Sequence, residues 1–439
     1  MKLHIENLAK IEQADIEING ITVIAGKNNT GKSTVGKILY SLFETFYNYE
    51  DRLYKQKFFA IKERLERWQH ILINLKTPID SVSSYKSYLK RINHIVFELI
   101  NSYNDQITLK QYLSILKEVL KVNGINYNAD DGYIEQLAEQ IFSIVSINKQ
   151  REINKLMQSS LQIEFNDEFL PKGNNDDVHV KLEIRSRNIS FDIEDNQRKL
   201  QVKEYQNLNS EVIYYDNPFI IDRLSKYNFQ SYIGSIHEND GAILTHFDRM
   251  QIILNRPSDI NEANVYNQIL SDDILAKIEQ DIIDSINGDF ILENGNIMFK
   301  EKNLETAMEI SNLSAGVKSF AILLKLIKEF KIGKNSTLIL DEPEVHLHPE
   351  WQLKYAKLLV LLQKTLNLHV LINSHSPYFI NAIEVFSAKN EIANNCKYYL
   401  ADLNNNYRAY FEDVTKNTEK IYQKLAEPLR LLNDMKYED

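Results

Sequence analysis

Apolar and polar positions divide the chain into stretches with a strand period and stretches with a helix period. ITVIA at 21–25 is β-branched and apolar, which is typical of a buried strand, and apolar residues then recur at helical spacing between Val35 and Leu42. Residues 50–157 are rich in Leu, Ile, Tyr and Lys and repeat the helical spacing. Because no heptad run persists there, the pattern predicts several helices and no long coiled-coil arms.

Strand patterns return in the second half of the chain. VHVKLEIRSRNISFDIED at 178–195 alternates as two antiparallel strands with a turn near Arg187–Asn188. SEVIYYDNPFIIDRL at 210–224 predicts a buried strand that ends in a proline turn. GDFILENGNIMFKEK at 288–302 predicts a hairpin around Asn294–Gly295.

The residues between the first apolar strand and its helix have the composition of a phosphate-binding loop. Gly26, Gly31, Lys32 and Ser33 satisfy the pattern G-x-x-x-x-G-K-[ST]. In a strand–loop–helix unit, backbone N–H groups surround a β-phosphate while the helix N-terminus faces the negative charge. Lys32 is expected to reach the β- and γ-phosphates, and Ser33 to offer its hydroxyl to Mg²⁺.

The nucleotide contacts predicted in this loop are made by Gly26, Asn28, Asn29, Thr30, Gly31, Lys32, Ser33 and Thr34. Asn29 stands where many such loops have glycine, and asparagine tolerates a positive φ better than most residues. The loop is therefore expected to form with asparagine at this position. Lys37 is interpreted as helix surface.

An acidic pair follows a second apolar strand, in LILDEPEVHLHPEWQ at 338–352. For an isolated pair, a solvated acidic turn is the simpler interpretation. A phosphate-binding loop, however, needs a carboxylate at the end of a neighbouring strand to hold Mg²⁺, and Asp341 fits that place. Glu342 is expected to point to the other side of the strand, where it could orient an attacking water.

Further motifs follow in an order that resembles the ABC-type ATPases, in the soluble branch with SMC-like and RecF-like heads. SNLSAGVKSF at 311–320 resembles the signature motif, NSHSP at 373–377 the switch segment, and PEVHLHPE the D-loop. The resemblance implies ATP bound between two heads, with Ser314 and Gly316 of one copy approaching the γ-phosphate on the loop of the other. His375 is implied as the switch histidine that contacts the γ-phosphate.

The signature motif departs from the family pattern at two positions. Ala315 stands where the family has its second glycine, and Val317 replaces its usual glutamine. These departures leave the detailed contact between copies open. The Mg²⁺-sensing glutamine of the family has no clear match, and Gln162 is the candidate. One H-x-H pair, His346 and His348, is weak support for a metal site and is interpreted as part of the D-loop.

A narrower resemblance joins DEPEVHLHPEWQ and NSHSPYF with EVIYYDNPFIIDRL in the middle of the chain. Together they are similar to the overcoming-lysogenization-defect type ATPases, whose relatives drive anti-phage systems such as Septu, PARIS and retron-associated operons. The implied fold class is α/β: a P-loop ABC ATPase head with a mixed or antiparallel β subdomain and a helical insertion. The implied domains are a discontinuous head, 1–45 with 160–439, and an insertion at 46–159.

Charge and composition separate the remaining function classes. The net charge of −10 is unhelpful for general nucleic-acid binding, but residues 51–125 hold 13 Lys and Arg against 7 Asp and Glu. That basic stretch leaves open a DNA-repair head that binds DNA through the insertion, or an ordinary solvated surface. The single cysteine excludes an internal disulfide, and no signal peptide or membrane span is visible, so a cytoplasmic protein without a membrane partner is expected.

The predicted partners are a second copy of the chain and a separate effector. Related defence proteins carry a Toprim nuclease after the switch histidine, which needs a glutamate and then D-x-D. The 64 residues after His375 contain no D-x-D. If the system cuts nucleic acid, the nuclease is therefore expected on another polypeptide. The long insertion and the PEVHLHPE segment argue against a transporter cassette.

Overall fold

The computed structural model describes residues 1–68, 82–125, 131–170, 176–194, 199–223, 241–255, 265–293, 296–328 and 332–436. The chain divides into two compact units. The larger unit comprises Met1–Tyr47, Leu156–Ser235 and Ile243–Asp439, and the smaller comprises Asn48–Lys155 and Ile236–Ala242.

The strands, in chain order, are β1 (Lys2–Glu6), β2 (Ile11–Glu17), β3 (Ile21–Gly26), β4 (Val178–Ile184), β5 (Arg187–Glu194), β6 (Lys199–Glu204), β7 (Val212–Tyr215), β8 (Gly288–Glu293), β9 (Asn296–Glu301), β10 (Met308–Glu309), β11 (Thr337–Asp341), β12 (His369–Ser374), β13 (Cys396–Leu403) and β14 (Ala409–Asp413). The helices are α1 (Lys32–Phe46), α2 (Tyr49–Arg67), α3 (Val82–Asn101), α4 (Leu109–Val122), α5 (Asp131–Val145), α6 (Lys149–Phe165), α7 (His246–Asn255), α8 (Val265–Ile286), α9 (Ala315–Lys328), α10 (Pro349–Leu366), α11 (Pro377–Lys389) and α12 (Glu419–Lys436).

Most of the described strands of the larger unit form one mixed sheet, in the order β6-β5-β4-β1-β2-β14-β13-β3-β12-β11-β7. The run from β13 to β7 is parallel, whereas β6, β5, β4, β1 and β2 pair antiparallel. A second sheet of β8, β9 and β10 is antiparallel. The sheet therefore has a parallel part, from β13 to the edge strand β7, and an antiparallel part, from β6 to β2.

The parallel part of the sheet explains why ITVIA has no polar alternation. All six residues of β3 and all four of β7 are buried, as strands covered by helices on both faces should be. Parallel pairing also aligns the strands end to end: Asp341 faces Asn373, and Ser374 faces Ala25. The carboxyl ends of β3, β11 and β12 therefore meet at one edge of the sheet.

One apolar core packs α9, α10 and α11 against the parallel strands. Its aromatic side chains meet edge to face: the Phe320 ring lies 5.4 Å from that of Trp351 and 5.2 Å from that of Tyr355. Because α9 and α10 bury large rings against each other, the segments at their N-termini are held close together.

A buried ion pair fixes α1, the helix that follows the phosphate-binding loop. Arg249 of α7 donates from Nε and Nη2 to the Glu44 carboxylate, over 3.0 and 2.8 Å. The backbone N–H of Leu244 donates to the same carboxylate over 3.2 Å. A guanidinium–carboxylate pair with two hydrogen bonds fixes the relative orientation of its groups, so this pair restrains α1 against α7.

The smaller unit is helical. Apolar side chains of α2, α3, α4 and α5 form its core, which is separate from that of the larger unit. A capping box begins α4, since Thr108 accepts from the Gln111 N–H and the Gln111 side chain accepts from the Thr108 N–H. The helices expected from the repeated spacing in this part of the chain are confirmed.

Of the two turns predicted between paired strands, one lies at a different place and the other lies outside the described residues. The turn between β4 and β5 lies at Arg185–Ser186, because Ile184 pairs with Arg187, so its predicted place near Arg187–Asn188 is wrong by two residues. The hairpin of β8 and β9 forms as predicted, although Asn294–Gly295 lies outside the described residues. None of the helices in the described part of the chain is long and apolar enough to cross a membrane.

Candidate functional site

The loop between β3 and α1 has the backbone that its glycines predict. Gly31 has a φ of 79° and Asn29 a φ of 64°, so asparagine takes the left-handed conformation here. A Cβ on Gly26 would lie 2.4 Å from the carbonyl oxygen of Ala401 on the neighbouring strand β13. Glycine at position 26 is thus required by the close approach of another strand.

Lys32 is buried inside this loop. Its ammonium donates to the carbonyl oxygens of Gly26 and Lys27, over 3.0 and 2.8 Å. Burial lowers the pKa of Lys32, and the negative charges of Glu342 and then Asp341 oppose the lowering. The loop lysine and the acidic pair, which are about 300 residues apart in the sequence, therefore share one electrostatic environment.

Asp341, at the carboxyl end of β11, is joined to the phosphate-binding loop. Its pKa is raised by burial, and the hydrogen bond from the Ser33 hydroxyl is the largest opposing influence. Its carboxylate also accepts from Asn373 Nδ2 over 2.9 Å and from the Tyr214 hydroxyl over 3.3 Å. The Ser33 hydroxyl and the Asp341 carboxylate, the two groups proposed from sequence for Mg²⁺, thus lie near each other.

Glu342 leaves the strand in a different direction from Asp341. It has a φ of 49°, and its N–H donates to the Asn373 carbonyl over 2.9 Å. Its Oε1 lies 3.2 Å from Nδ1 of His375, just beyond the end of β12. The predicted water-orienting carboxylate and the predicted switch histidine therefore form a pair at the edge where the loop lies.

The pairing shifts both groups toward their charged forms. Contact with Glu342 raises the pKa of His375 above 6.5, and contact with His375 lowers the pKa of Glu342 below 4.5. The contribution of His375 to stability is full below pH 6.5 and is lost as the pH rises through its raised pKa. That of Glu342 is full above pH 4.5 and is lost as the pH falls through its lowered pKa.

Ser314 and Gly316 of the signature segment lie at the start of α9 and differ in exposure. Ser314 is exposed, and its Oγ accepts from the Val317 N–H over 3.4 Å. Gly316 is buried, and a Cβ there would lie 3.2 Å from both the His346 carbonyl oxygen and the Trp351 ring. Close packing against the D-loop of the same chain therefore accounts for Gly316, while Ser314 remains on the surface.

Lys318, which follows the two departures from the signature pattern, is 2% exposed and anchors the signature segment. Its ammonium donates to Asp222 Oδ2 over 2.7 Å and to the Ser311 carbonyl over 3.1 Å, and it lies 4.9 Å from the centre of the Phe219 ring. The segment after β7 thus holds the start of α9 through the contacts of Asp222 and Phe219 with Lys318.

The family is decided by a match over most of the chain. The model of the AAA ATPase domain family matches residues 1–380. The chain belongs to that family. Its sheet, its phosphate-binding loop at the edge and its helical insertion are those of a P-loop ABC ATPase head, so the α/β fold class expected from the sequence is confirmed.

Solved structures similar to the chain include heads of SMC proteins. The SMC head domain from Thermotoga maritima has a TM-score of 0.39 and 11% identity, covering 94% of this chain and 98% of that one. An Smc head bound to the C-terminal domain of ScpA, derived from Pyrococcus furiosus, has a TM-score of 0.39 and 11% identity, covering 97% and 99%. At this identity and TM-score the likeness says nothing about function.

The structure also identifies a residue of this ATPase-family site that the sequence analysis missed. Glu344 is 1% exposed, and its Oε1 accepts from Ser374 Oγ over 2.5 Å, from the His375 N–H over 3.1 Å and from the Ser376 N–H over 3.3 Å. Burial raises the pKa of Glu344. Its carboxylate therefore ties the D-loop to the backbone of the switch histidine.

A second link runs parallel to that of Glu344. Gln352 of α10 donates to the Leu347 carbonyl over 3.1 Å, and its Oε1 accepts from Ser376 Oγ over 2.6 Å. His348 begins α10 as its N-cap, with Nδ1 accepting from the Glu350 N–H over 3.4 Å. The D-loop and the switch segment are therefore joined by buried hydrogen bonds, and His348 has a capping role.

Replacing Glu344 by Ala is expected to lower the free energy of unfolding by about 3 kcal/mol, because each buried donor left without a partner costs about 1–3 kcal/mol. Chemical denaturation measures this. Glu305→Ala, which removes an exposed carboxylate of the same unit, should change stability by no more than about 0.5 kcal/mol. An equal effect of the two substitutions would contradict the structural role of Glu344.

The strand beside β11 supplies another group at this edge. Tyr215 pairs with Leu340, so Asp216 follows β7 next to Asp341. His246 lies 3.0 Å from Asp216 Oδ2 through Nε2 and 2.5 Å from Glu164 Oε1 through Nδ1. Burial works against protonation of His246, yet these two carboxylates raise its pKa to about 9.

Two smaller sequence interpretations change in the structure. Lys37 is not only helix surface, since its ammonium donates to the Glu164 carbonyl over 3.3 Å and lies 5.8 Å from the centre of the Phe165 ring. Gln162 lies half-buried within α6, and its side chain makes no hydrogen bond to the described residues of the site. Asp216, rather than Gln162, stands at the site edge after β7.

Proposed function

We propose that the chain binds and hydrolyses ATP with Mg²⁺, at sites completed by a second copy of the chain. The observation that carries the proposal is the pair of Glu342 and His375, whose Oε1 and Nδ1 lie 3.2 Å apart beside Asp341 of β11 and Ser33 of the loop. A loop serine, a strand-end carboxylate and a further carboxylate free to face a water are the parts that nucleotide hydrolysis requires.

The donor groups at this edge suit Mg²⁺. The Ser33 hydroxyl and the Asp341 carboxylate are hard oxygen ligands, which Mg²⁺ prefers. Mg²⁺ would be held by the Ser33 and Asp341 oxygens together with substrate phosphates, where it would neutralise charge on the phosphate oxygens.

The chain's own residues divide the remaining work. Lys32 would exchange its hydrogen bonds to the loop carbonyls for the β- and γ-phosphates, and the N–H groups from Asn28 to Thr34 would surround the β-phosphate. Glu342 would accept a proton from the attacking water, or orient it, because its carboxylate is ionised and half-exposed. His375 would donate to the γ-phosphate from the ring nitrogen that does not face Glu342.

The second copy enters the proposal through Ser314. This serine is exposed at the N-terminus of α9, where backbone N–H groups favour an anion. Following the resemblance of SNLSAGVKSF to the signature motif, we assign Ser314 to the γ-phosphate held by the loop of a partner copy. Gly316 serves this role indirectly, by allowing α9 to lie close to the D-loop.

We place this ATPase in an anti-phage defence complex, where it holds or releases a separate effector subunit, a nuclease. The resemblance of DEPEVHLHPEWQ and EVIYYDNPFIIDRL to defence ATPases supports this role. Co-purification with the product of an adjacent gene would agree with it. DNA-stimulated hydrolysis that fades steeply with salt would instead favour a DNA-repair head that binds DNA through the insertion.

Mixing two inactive variants tests the composite site. Lys32→Ala and Ser314→Arg should each abolish ATPase activity alone, since each damages both sites of a symmetric pair. An equimolar mixture should recover about a quarter of wild-type activity, because half of the pairs are mixed and each mixed pair keeps one intact site. Full activity of Ser314→Arg alone would overturn the pairing while leaving the ATPase proposal in place.

A further inference from the structure

A second cavity lies in the larger unit, at the opposite edge of the parallel sheet. It has a volume of about 750 Å³, and Thr337 and His369, the first residues of β11 and β12, form part of its wall. Asp341 ends the same β11, so at a rise of about 3.3 Å per residue the two edges are roughly 13 Å apart. The cavity is therefore distinct from the proposed ATP site.

The charge of this cavity has one sign. Arg185 and Arg187, on either side of the turn between β4 and β5, line it, and no Asp or Glu does. Within the described part of the chain, neither guanidinium forms an ion pair. In a chain with a net charge of −10, two arginines without a carboxylate partner at one cavity favour a negatively charged ligand.

The remaining wall is polar, and some of it lacks a hydrogen-bond partner. Its side-chain amides are those of Gln206, Asn207, Asn209, Asn335 and Asn367. Buried Nε2 of Gln206 and buried Nδ1 of His369 have no hydrogen-bond partner among the described residues. A buried polar atom without a partner costs free energy that a polar ligand would recover.

Positive charges near the cavity affect the pKa of His369. Its pKa is lowered first by burial and then by the positive charges of the Met1 amino group and Arg185. The imidazole is therefore neutral at pH 7. Binding of an anion beside it would offset these charges and raise the pKa of His369 toward its ordinary value.

We propose that this cavity binds a phosphate-bearing small molecule of the size of a nucleoside monophosphate. The phosphate lies between Arg185 and Arg187, since guanidinium groups bind phosphate through paired N–H donors. The side-chain amides of the wall donate hydrogen bonds to the rest of the ligand and accept hydrogen bonds from it. A volume of about 750 Å³ suits one such molecule, because small-molecule sites span about 300–1,000 Å³. This site is independent of the proposed ATP hydrolysis.

Calorimetric titration with adenosine 5′-monophosphate tests the proposal. The protein should carry Lys32→Ala, so that binding to the phosphate loop is weakened and contributes less. Saturable binding is expected, and adding Arg185→Ala and Arg187→Ala should weaken it by about tenfold or more. Lys86→Ala with Lys90→Ala removes two exposed positive charges from α3 and should leave the affinity unchanged.

Two further arms make the outcome decisive. Adenosine without its phosphate should not bind, and the monophosphate should raise the pKa of His369 in an NMR titration only when both arginines are present. The proposal is overturned by the absence of saturable binding, or by equal losses in the arginine and lysine variants. Tighter binding of a single-stranded oligonucleotide than of the monophosphate would overturn it in favour of a nucleic-acid surface.

Discussion

Glu342→Gln is expected to slow ATP hydrolysis about 10²–10⁴-fold, because a positioned carboxylate that takes up or directs the proton of the attacking water contributes an acceleration of this size. Glutamine keeps the shape of the side chain but cannot accept that proton. ATP affinity should change little, since Lys32 and the loop backbone hold the phosphates. Single-turnover hydrolysis and nucleotide titration separate these two effects, and paired heads should accumulate with ATP.

The control and a second observable come from the structure. Glu350→Gln alters an exposed glutamate at the start of α10 and should hydrolyse ATP normally. Because contact with Glu342 is the largest influence raising the pKa of His375, that pKa should fall toward 6.5 in Glu342→Gln. Turnover at the wild-type rate, with the expected change at His375, would remove Glu342 from the chemistry while confirming the pair.

Lys32→Ala is expected to weaken ATP binding about 10–100-fold, the equivalent of about 1.5–3 kcal/mol for a hydrogen bond to a charged group. The lysine is buried in the loop, where its ammonium donates to the carbonyl oxygens of Gly26 and Lys27. Its removal therefore takes a positive charge from the place where the phosphates would lie. Equilibrium titration with a fluorescent ATP analogue measures the loss.

Lys37→Ala is the matched control for Lys32→Ala, as it removes a lysine from the same helix. Lys37 contacts Glu164 and Phe165 and should change nucleotide affinity by less than threefold or so, within ordinary surface effects. Unfolding curves show whether either variant has lost its fold. Unchanged ATP affinity in a folded Lys32→Ala variant would contradict the assignment of the loop.

Local sequence was sufficient for the loop and its flanking elements. Strand period, helix period and glycine spacing all lie within residues 21–42, and short-range sterics decide the backbone there, including the positive φ of Asn29. The hairpin of β8 and β9 followed from the same kind of local signal. The turn at Arg185–Ser186 was misplaced because alternation identifies two strands but marks their junction poorly.

The burial of Glu344 and its hydrogen bonds to the switch segment could not be predicted from the sequence. Its place two residues after Glu342 indicates nothing about burial, and its partners Ser374 and Ser376 are about 30 residues away. Lys318 is similar, since its carboxylate partner, Asp222, is 96 positions earlier in the chain. A polar residue inside the apolar helix α9 was the one signal that could have suggested a buried charge with a partner.

By itself the sequence determined the P-loop class and the helical character of most of residues 50–157, and it predicted the candidate site residues, because these depend on composition and period over short stretches. Only the tertiary structure decided that Asp216 lies beside Asp341, that Glu344 holds the backbone of His375, and that Arg185 and Arg187 face a cavity without acids. The physical reason is strand pairing. Register between parallel strands brings together residues separated by a hundred positions or more, and no local pattern specifies which strands become neighbours.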